Sequence, residues 1–260
     1  MKNVAIVAGA GAVENAWSPI LKIFKLLYRG DIDGDAANSI FAGHIYRLRF
    51  YSSFPRPHIS DALEEQLSIV SDLKTLICEQ LAHAQNTGAI SVRKEFLEIL
   101  QHFVYKLNNK VGFLTTNWDT TVGDAADECM NKTCNTPSAR CFHIHGSIKE
   151  PYGLYLPSET SRENYRSAEE NDRLGMNHAL SLRFLKDANQ IILYGLSLDP
   201  LDAELGQILN ATFTKNSDLE EIIIINPEYA KVKQRVVLLI PYFKDIKITC
   251  FDPNDLTLPL

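Results

Sequence analysis

Three short segments of the chain carry residues whose types and spacing suit chemistry at a nucleotide. Val4-Ala5-Ile6-Val7-Ala8-Gly9-Ala10-Gly11-Ala12 reads as a buried strand running into a glycine turn. Glycines let backbone N–H groups approach an anion closely, so Gly9-Ala10-Gly11 suits a phosphate. Phe113-Leu114-Thr115-Thr116-Asn117-Trp118-Asp119 ends a second apolar run on an amide and a carboxylate. Two positions apart on an extended strand end, Asn117 and Asp119 share a face; Asp119 equally suits the cap of a following helix. Phe142-His143-Ile144-His145-Gly146 ends a third run on an imidazole, a group able to accept a proton near neutral pH. His143, one step of the pleat deeper, reads as structural. In an open α/β sheet, ligands bind where the carboxyl ends of the strands meet. If these strands are neighbours, Gly9, Gly11, Asn117, Asp119 and His145 converge on one crevice.

The elements that must position these residues follow from hydrophobic periodicity. The first strand, about Val4 to Ala8, is continuously apolar, as a parallel strand covered on both faces requires. A helix is expected from near Asn15, with Trp17, Ile20, Leu21, Phe24, Leu27 and Tyr28 at helical spacing. Gly30 to Gly34 reads as a turn, and Phe41 to Phe54 as an irregular aromatic and basic stretch closed by Phe54-Pro55-Arg56-Pro57. Leu63, Leu67, Val70, Leu73, Ile77 and Leu81 predict a helix capped by Ser60 and Asp61. Phe96, Leu100, Phe103, Val104 and Leu107 predict another, ending at Asn108-Asn109. Further strands are expected at Val111 to Thr115, Arg140 to Ile144, Gln190 to Tyr194, Glu221 to Ile225 and Ile246 to Phe251. Helices are expected between most of them, at about Asp119 to Asn131, Asn177 to Asp187 and Asp202 to Asn210. The polar stretch Ser158 to Arg173 reads as an insertion. The alternation predicts an α/β fold with a doubly wound parallel, Rossmann-like sheet. Its core would be 1–30 and 110–260 of a single domain, with a helical insertion at about 31–109.

Bulk properties exclude several classes. With 26 Lys+Arg against 32 Asp+Glu, the net charge of −6 gives no general attraction to nucleic acid or to anionic membranes. Arg47-Leu48-Arg49 with Arg56 forms a local basic stretch that suits either phosphates or a solvated face. No segment approaches the roughly 18 consecutive apolar residues of a membrane helix. No signal-peptide pattern opens the chain, so a cytoplasmic location is expected. Five cysteines, Cys78, Cys129, Cys134, Cys141 and Cys250, include no Cys-x-x-Cys pair. The spacings of Cys129, Cys134, Cys141 and His143 fit no common zinc pattern, and the expectation is no metal and reduced thiols.

Two later segments extend the pattern. Ile191-Ile192-Leu193-Tyr194-Gly195-Leu196-Ser197-Leu198 is a strand with a small-residue turn, and Ile222-Ile223-Ile224-Ile225-Asn226-Pro227 ends a strand on an amide. The full G-x-G-x-x-G pattern is absent, because position 14 is Glu14, which disfavours an ordinary dinucleotide dehydrogenase. The ordered set GAG, TTNWD, HG, GLSL and INP resembles the sirtuin and SIR2-like family of NAD-consuming proteins, over Gly9 to Pro227. The resemblance implies that Ala8, Gly9, Ala10, Gly11 and Ala12 hold a pyrophosphate. It implies that Asn117 and Asp119 face the nicotinamide ribose, that His145 is the catalytic base, and that Gly195, Ser197 and Asn226 contact the adenosine half.

The departures from that family are informative. Protein-deacylating sirtuins carry paired cysteines of a zinc ribbon soon after the HG histidine, and this chain has none there. Their glutamine before the asparagine is Thr116 here, and their Asp-Phe-Arg segment after the glycine turn is missing. The stretch from about Asp31 to Asn109 is similar to that of bacterial SIR2-like proteins that hydrolyse NAD in antiphage defence. The resemblance therefore implies NAD as substrate and cleavage of its nicotinamide–ribose bond. A non-catalytic nucleotide-sensing module and an NAD-dependent deacylase or ADP-ribosyltransferase are the alternatives. It also implies control by homo-oligomer formation or by a separately encoded regulatory or sensor protein.

Overall fold

The computed structural model describes residues 2–54, 60–106, 109–131, 141–150 and 153–255. Six parallel strands form one sheet: β1 (Asn3–Ala8), β4 (Lys110–Thr115), β5 (Phe142–His143), β6 (Gln190–Tyr194), β7 (Glu221–Ile225) and β8 (Lys247–Phe251). Their spatial order is β5-β4-β1-β6-β7-β8. Counted along the sheet, that is the order 3-2-1-4-5-6 of a doubly wound, Rossmann-like fold. The chain winds outward from β1 in one direction, then restarts at β6 and winds in the other. The reversal leaves a crevice beyond the carboxyl ends of β1 and β6.

Strand side chains alternate between two apolar layers, which is why runs such as Ile222–Ile225 are apolar throughout. Val4, Ile6, Phe113, Ile192 and Ile223 join one layer; Ala5, Val7, Leu114, Ile191 and Ile222 join the other. The second layer is covered by α6 (Ala168–Lys186), α7 (Ala203–Lys215) and α8 (Tyr229–Leu239). The first is covered by α4 (Lys94–Gln101), α5 (Thr121–Asn131) and three helices that precede them: α1 (Ser18–Leu27), α2 (Gly34–Ser52) and α3 (Ser60–Asn86). Phe41 of α2 and Leu73 of α3 belong to the same buried cluster as Ile6 of β1, so helical insertion and sheet share one core.

Several elements differ from expectation. Phe41 to Ser52 is not irregular but belongs to α2, with Ala37, Phe41, Ile45 and Leu48 buried at helical spacing; only Ser53 and Phe54 lie beyond it. The Asp33 side chain caps its start by accepting from Ala36 N at 2.8 Å. The two arginines of the basic stretch that are described are engaged within the protein, exposed Arg47 donating to Gln66 and half-buried Arg49 pairing with Glu163. Helix α6 opens nine residues before its expected start at Asn177, because Ser167 and Glu170 form a reciprocal capping box that offsets a polar first turn. Helix α8, not expected, buries only Val232 and Val236, too narrow a stripe to stand out. The glycine turn does not lead directly into α1. It passes through a 3-10 turn, the strand β2 (Val13–Glu14) paired with β3 (Ser91–Val92), and Asn15 at φ 57°. Pro55, Arg56, Pro57, Leu107, Asn108, Cys134 and Arg140 lie outside the described residues.

Candidate active site

A cavity of about 840 Å3 opens at the carboxyl ends of the strands, at the reversal of strand order. That volume is within the roughly 300–1,000 Å3 of small-molecule sites. Gly9, Ala10, Gly11, Thr116, Asn117, Asp119, His145, Gly195, Ser197 and Asn226 all line it. Ala8 and Ala12, flanking the glycine turn, are buried beside it in the core. Five segments far apart in sequence thus meet because parallel strands deliver all their carboxyl ends to one edge.

The two glycine turns interlock. Gly9 N donates to Tyr194 O at 2.9 Å and Gly11 N to Gly195 O at 3.0 Å. A Cβ on Gly11 would stand 2.6 Å from Gly195 Cα, and one on Gly195 would stand 2.5 Å from Gly11 Cα. Gly195 also has φ 61°, the left-handed region that favours glycine. These glycines therefore serve the close approach of two backbones as well as any ligand. Ala12 N bonds to Gly9 O, so three N–H groups of the turn are engaged within the protein. Asn226 is similarly engaged: its Nδ2 donates to Leu196 O and its Oδ1 accepts from Glu228 N. It fixes the second turn against the end of β7. Ser197 is exposed, and its carbonyl accepts from Arg235.

Asn117 is held by its backbone, and its side chain is left unpaired. Its N–H donates to Thr115 Oγ1, its carbonyl accepts from His143 Nδ1 at 2.9 Å, and neighbouring Thr116 N donates to Ala8 O. Burial lowers the pKa of His143 and outweighs its hydrogen bond to Asn117, so the neutral ring is favoured and donates to that carbonyl. The structural reading of His143 follows from this bond. Asn117 Nδ2 is buried without a hydrogen-bond partner, at a cavity wall. A buried unpaired donor costs about 1–3 kcal/mol, so a ligand acceptor there would gain what the free protein lacks. Asp119 is buried, and its Oδ1 accepts from Thr121 N at 2.9 Å, capping α5. Burial raises its pKa, against the opposing effect of the Thr121 hydrogen bonds.

His145 is packed ring to ring with Tyr155, centroids 5.2 Å apart and planes 15° apart. Its Nε2 lies 3.2 Å from Asp202 Oδ1, at ion-pairing distance but off the direction of a good hydrogen bond. Burial pushes the His145 pKa down; the Asp202 charge and the Thr116 carbonyl push it up, and the net shift is upward.

Sequence reasoning missed several wall residues. Asp202, expected only as the start of a helix, also lines the wall at the turn before α7. Trp17, Trp118 and Tyr155 also line the cavity, and Trp118 Nε1 donates to Tyr155 O. Lys22 and Lys25 of α1 and Arg93 supply positive charge; Asp119, Asp199 and Asp202 supply negative charge. Arg93 reaches the wall because its backbone N–H bonds to Ala12 O, beside the β2–β3 pair. Leu198 lines the cavity at φ 52°, a strained conformation for a bulky residue.

Among the described residues no group of three His, Cys, Asp or Glu side chains is arranged to hold a metal ion, and no helix is long and apolar enough to cross a membrane. Comparison with family models, curated proteins and solved structures returns no match for this chain. The site offers a buried amide donor, a histidine beside a carboxylate, and a second carboxylate in a half-enclosed crevice with both signs of charge.

Proposed function

We propose that this chain is an NAD+ glycohydrolase, cleaving the nicotinamide–ribose bond to give nicotinamide and ADP-ribose. The observation that carries the reading is the unpaired Asn117 amide lining the same cavity as His145, at the strand-order reversal and flanked by two interlocked glycine turns. The motif resemblance names the dinucleotide, and the cavity has room for one.

In this reading the C1′–N bond breaks and its electron pair leaves with nicotinamide, which departs neutral. The ribose passes through an oxocarbenium-like state, and water forms the new C1′–O bond. Asp119, near the ribose, favours the positive charge that develops there. Asn117 Nδ2 orients water or the 2′ and 3′ hydroxyls, and His145 accepts the proton that water or ribose loses. Gly9 to Ala12 lie beside the pyrophosphate, and the Gly195–Ser197 turn with Asn226 lies beside the adenosine half. Since His145 must be neutral to accept a proton, activity should rise with pH through its raised pKa.

Incubation with NAD+, with and without an acylated peptide, separates the readings by product. Nicotinamide plus ADP-ribose in both reactions is the expected result. NAD+ bound without turnover would instead make the chain a nucleotide-sensing module. Products that require the peptide, or ADP-ribosylated protein, would make it a deacylase or a transferase.

The cellular role we propose is NAD+ depletion in antiphage defence, held in check by self-assembly or by a separately encoded partner. Exposed apolar residues on the helices before Asn109, Leu26 and Leu27 of α1 and Phe50 of α2, support such a contact face.

A further inference from the structure

We infer that Asp202 is a positioning residue for His145, its carboxylate holding the imidazole at the cavity wall and partnering its proton. The inference rests on the proposal that His145 accepts a proton during NAD+ cleavage. Asp202 stands immediately before α7, where its backbone N–H bonds to Asp199 O and its Oδ1 accepts from Leu205 N at 3.3 Å. The carboxylate is therefore fixed by the helix it caps, on an element separate from the one that carries His145. That same oxygen lies 3.2 Å from His145 Nε2, and both side chains are largely buried, at 21% and 11% exposed. Tyr155, stacked on the imidazole, limits the ring's movement on that side.

Other groups face His145 and can be weighed against Asp202. Glu159 contributes charge, but it is already matched by Lys74 at 3.3 Å and Arg166 at 2.6 Å. The Thr116 carbonyl is neutral. Tyr155 stays protonated, because burial raises its pKa far above neutral. Asp202 is thus the carboxylate in contact with the ring, and it lines the same cavity. A second pair provides a built-in control. On the edge of Tyr155, His178 Nδ1 lies 3.2 Å from Glu204 Oε2, but neither residue lines the cavity. Two carboxylates from the start of α7 therefore meet two histidines around one tyrosine, and one of those histidines faces the ligand space.

The test uses Asp202→Asn in the full chain, since asparagine also caps helices well. An NMR titration of the His145 ring without ligand should show a midpoint above the ordinary histidine value in the wild type and a lower one in the variant. The acid limb of nicotinamide release should move to lower pH in step. The plateau kcat should fall by up to about 10²-fold, the cost of misplacing a reacting group by about 1 Å, with KM nearly unchanged. Glu204→Gln should leave the limb where it is. An unchanged His145 midpoint in Asp202→Asn overturns the inference, as does an equal displacement in Glu204→Gln. If the wild type releases no nicotinamide at any pH, the glycohydrolase reading fails, while the ring titration still decides the pairing.

Discussion

Two buried polar clusters lie on either side of Tyr155 and differ in one respect. In the cluster behind the cavity, both carboxylates meet cations: Glu159 pairs with Lys74 and Arg166, and Glu163 with Arg49, although Arg166 Nη2, like His145 Nε2, meets its carboxylate off the direction of a good hydrogen bond. Leu156 N also donates to Glu159 at 2.6 Å. In the cluster at the cavity wall, Asn117 Nδ2 has no partner, and His145 Nε2 has only a poorly aligned carboxylate. The first network balances its charges within the protein and is accounted for by the fold. The second leaves a buried amide donor facing open space, where a ligand acceptor could pair with it.

Substitutions can break or sharpen that contrast. The largest effect is expected at the incomplete cluster and on chemistry alone. Asn117→Ala or His145→Ala should lower nicotinamide release by about 10²–10⁴-fold, the usual reach of a lost acid–base or polar group. Thermal stability of Asn117→Ala should stay level or rise slightly, because an unpaired buried donor is removed. A melting temperature that fell as far as in a Glu159 variant would erase the distinction.

Glu159→Ala is the mirror case. It leaves Lys74 and Arg166 facing each other without their anion and should cost about 3–5 kcal/mol in denaturant unfolding. The same residue gives a pH signature. Burial alone would raise its pKa, but Lys74 and Arg166 overcome that and hold it below the usual glutamate value of 4.5. Its contribution is therefore present above the unfolded-state pKa and lost as pH falls through the lower folded-state value. Glu159→Gln should flatten that part of the acid unfolding curve; an unaltered curve would mean the pairing is energetically idle.

A smaller effect is expected where the clusters' scaffold meets. Gly11→Ala places a methyl 2.6 Å from Gly195 Cα, so the turns must separate, at about 1–3 kcal/mol. Unfolding midpoints equal to wild type would show that the interlock is looser than its geometry indicates.

Much of this was legible in the sequence because its signals are local. Largely apolar runs marked four strands, β1, β4, β6 and β7, to within a residue, since a parallel strand buried on both faces admits little else; the edge strand β8, only half-buried, was also expected to within a residue. Phe142–His143 was found, but the expected start at Arg140 lies outside the described residues. Helix α2 was misread because its buried Phe41, Ile45 and Leu48 are interleaved with exposed Tyr46 and Phe50, which blur the stripe. The strand ends expected to converge do line one cavity. What they do there was less visible: the bonds of Gly9 and Gly11 to β6 and its turn, and of Asn226 to Leu196, are contacts between distant segments. Asp202 escaped notice for the same reason, since nothing within its own segment announces the histidine 57 positions earlier that it meets in space.

The most direct measurement is product analysis of NAD+ incubated with the purified full chain and with its Asn117→Ala variant, each confirmed as folded. The account predicts that the wild type releases nicotinamide and ADP-ribose in equal amounts without any acyl acceptor, and that the variant, equally stable, releases neither at a comparable rate. Equal cleavage by both proteins, or intact NAD+ with the wild type across the pH range, would contradict it.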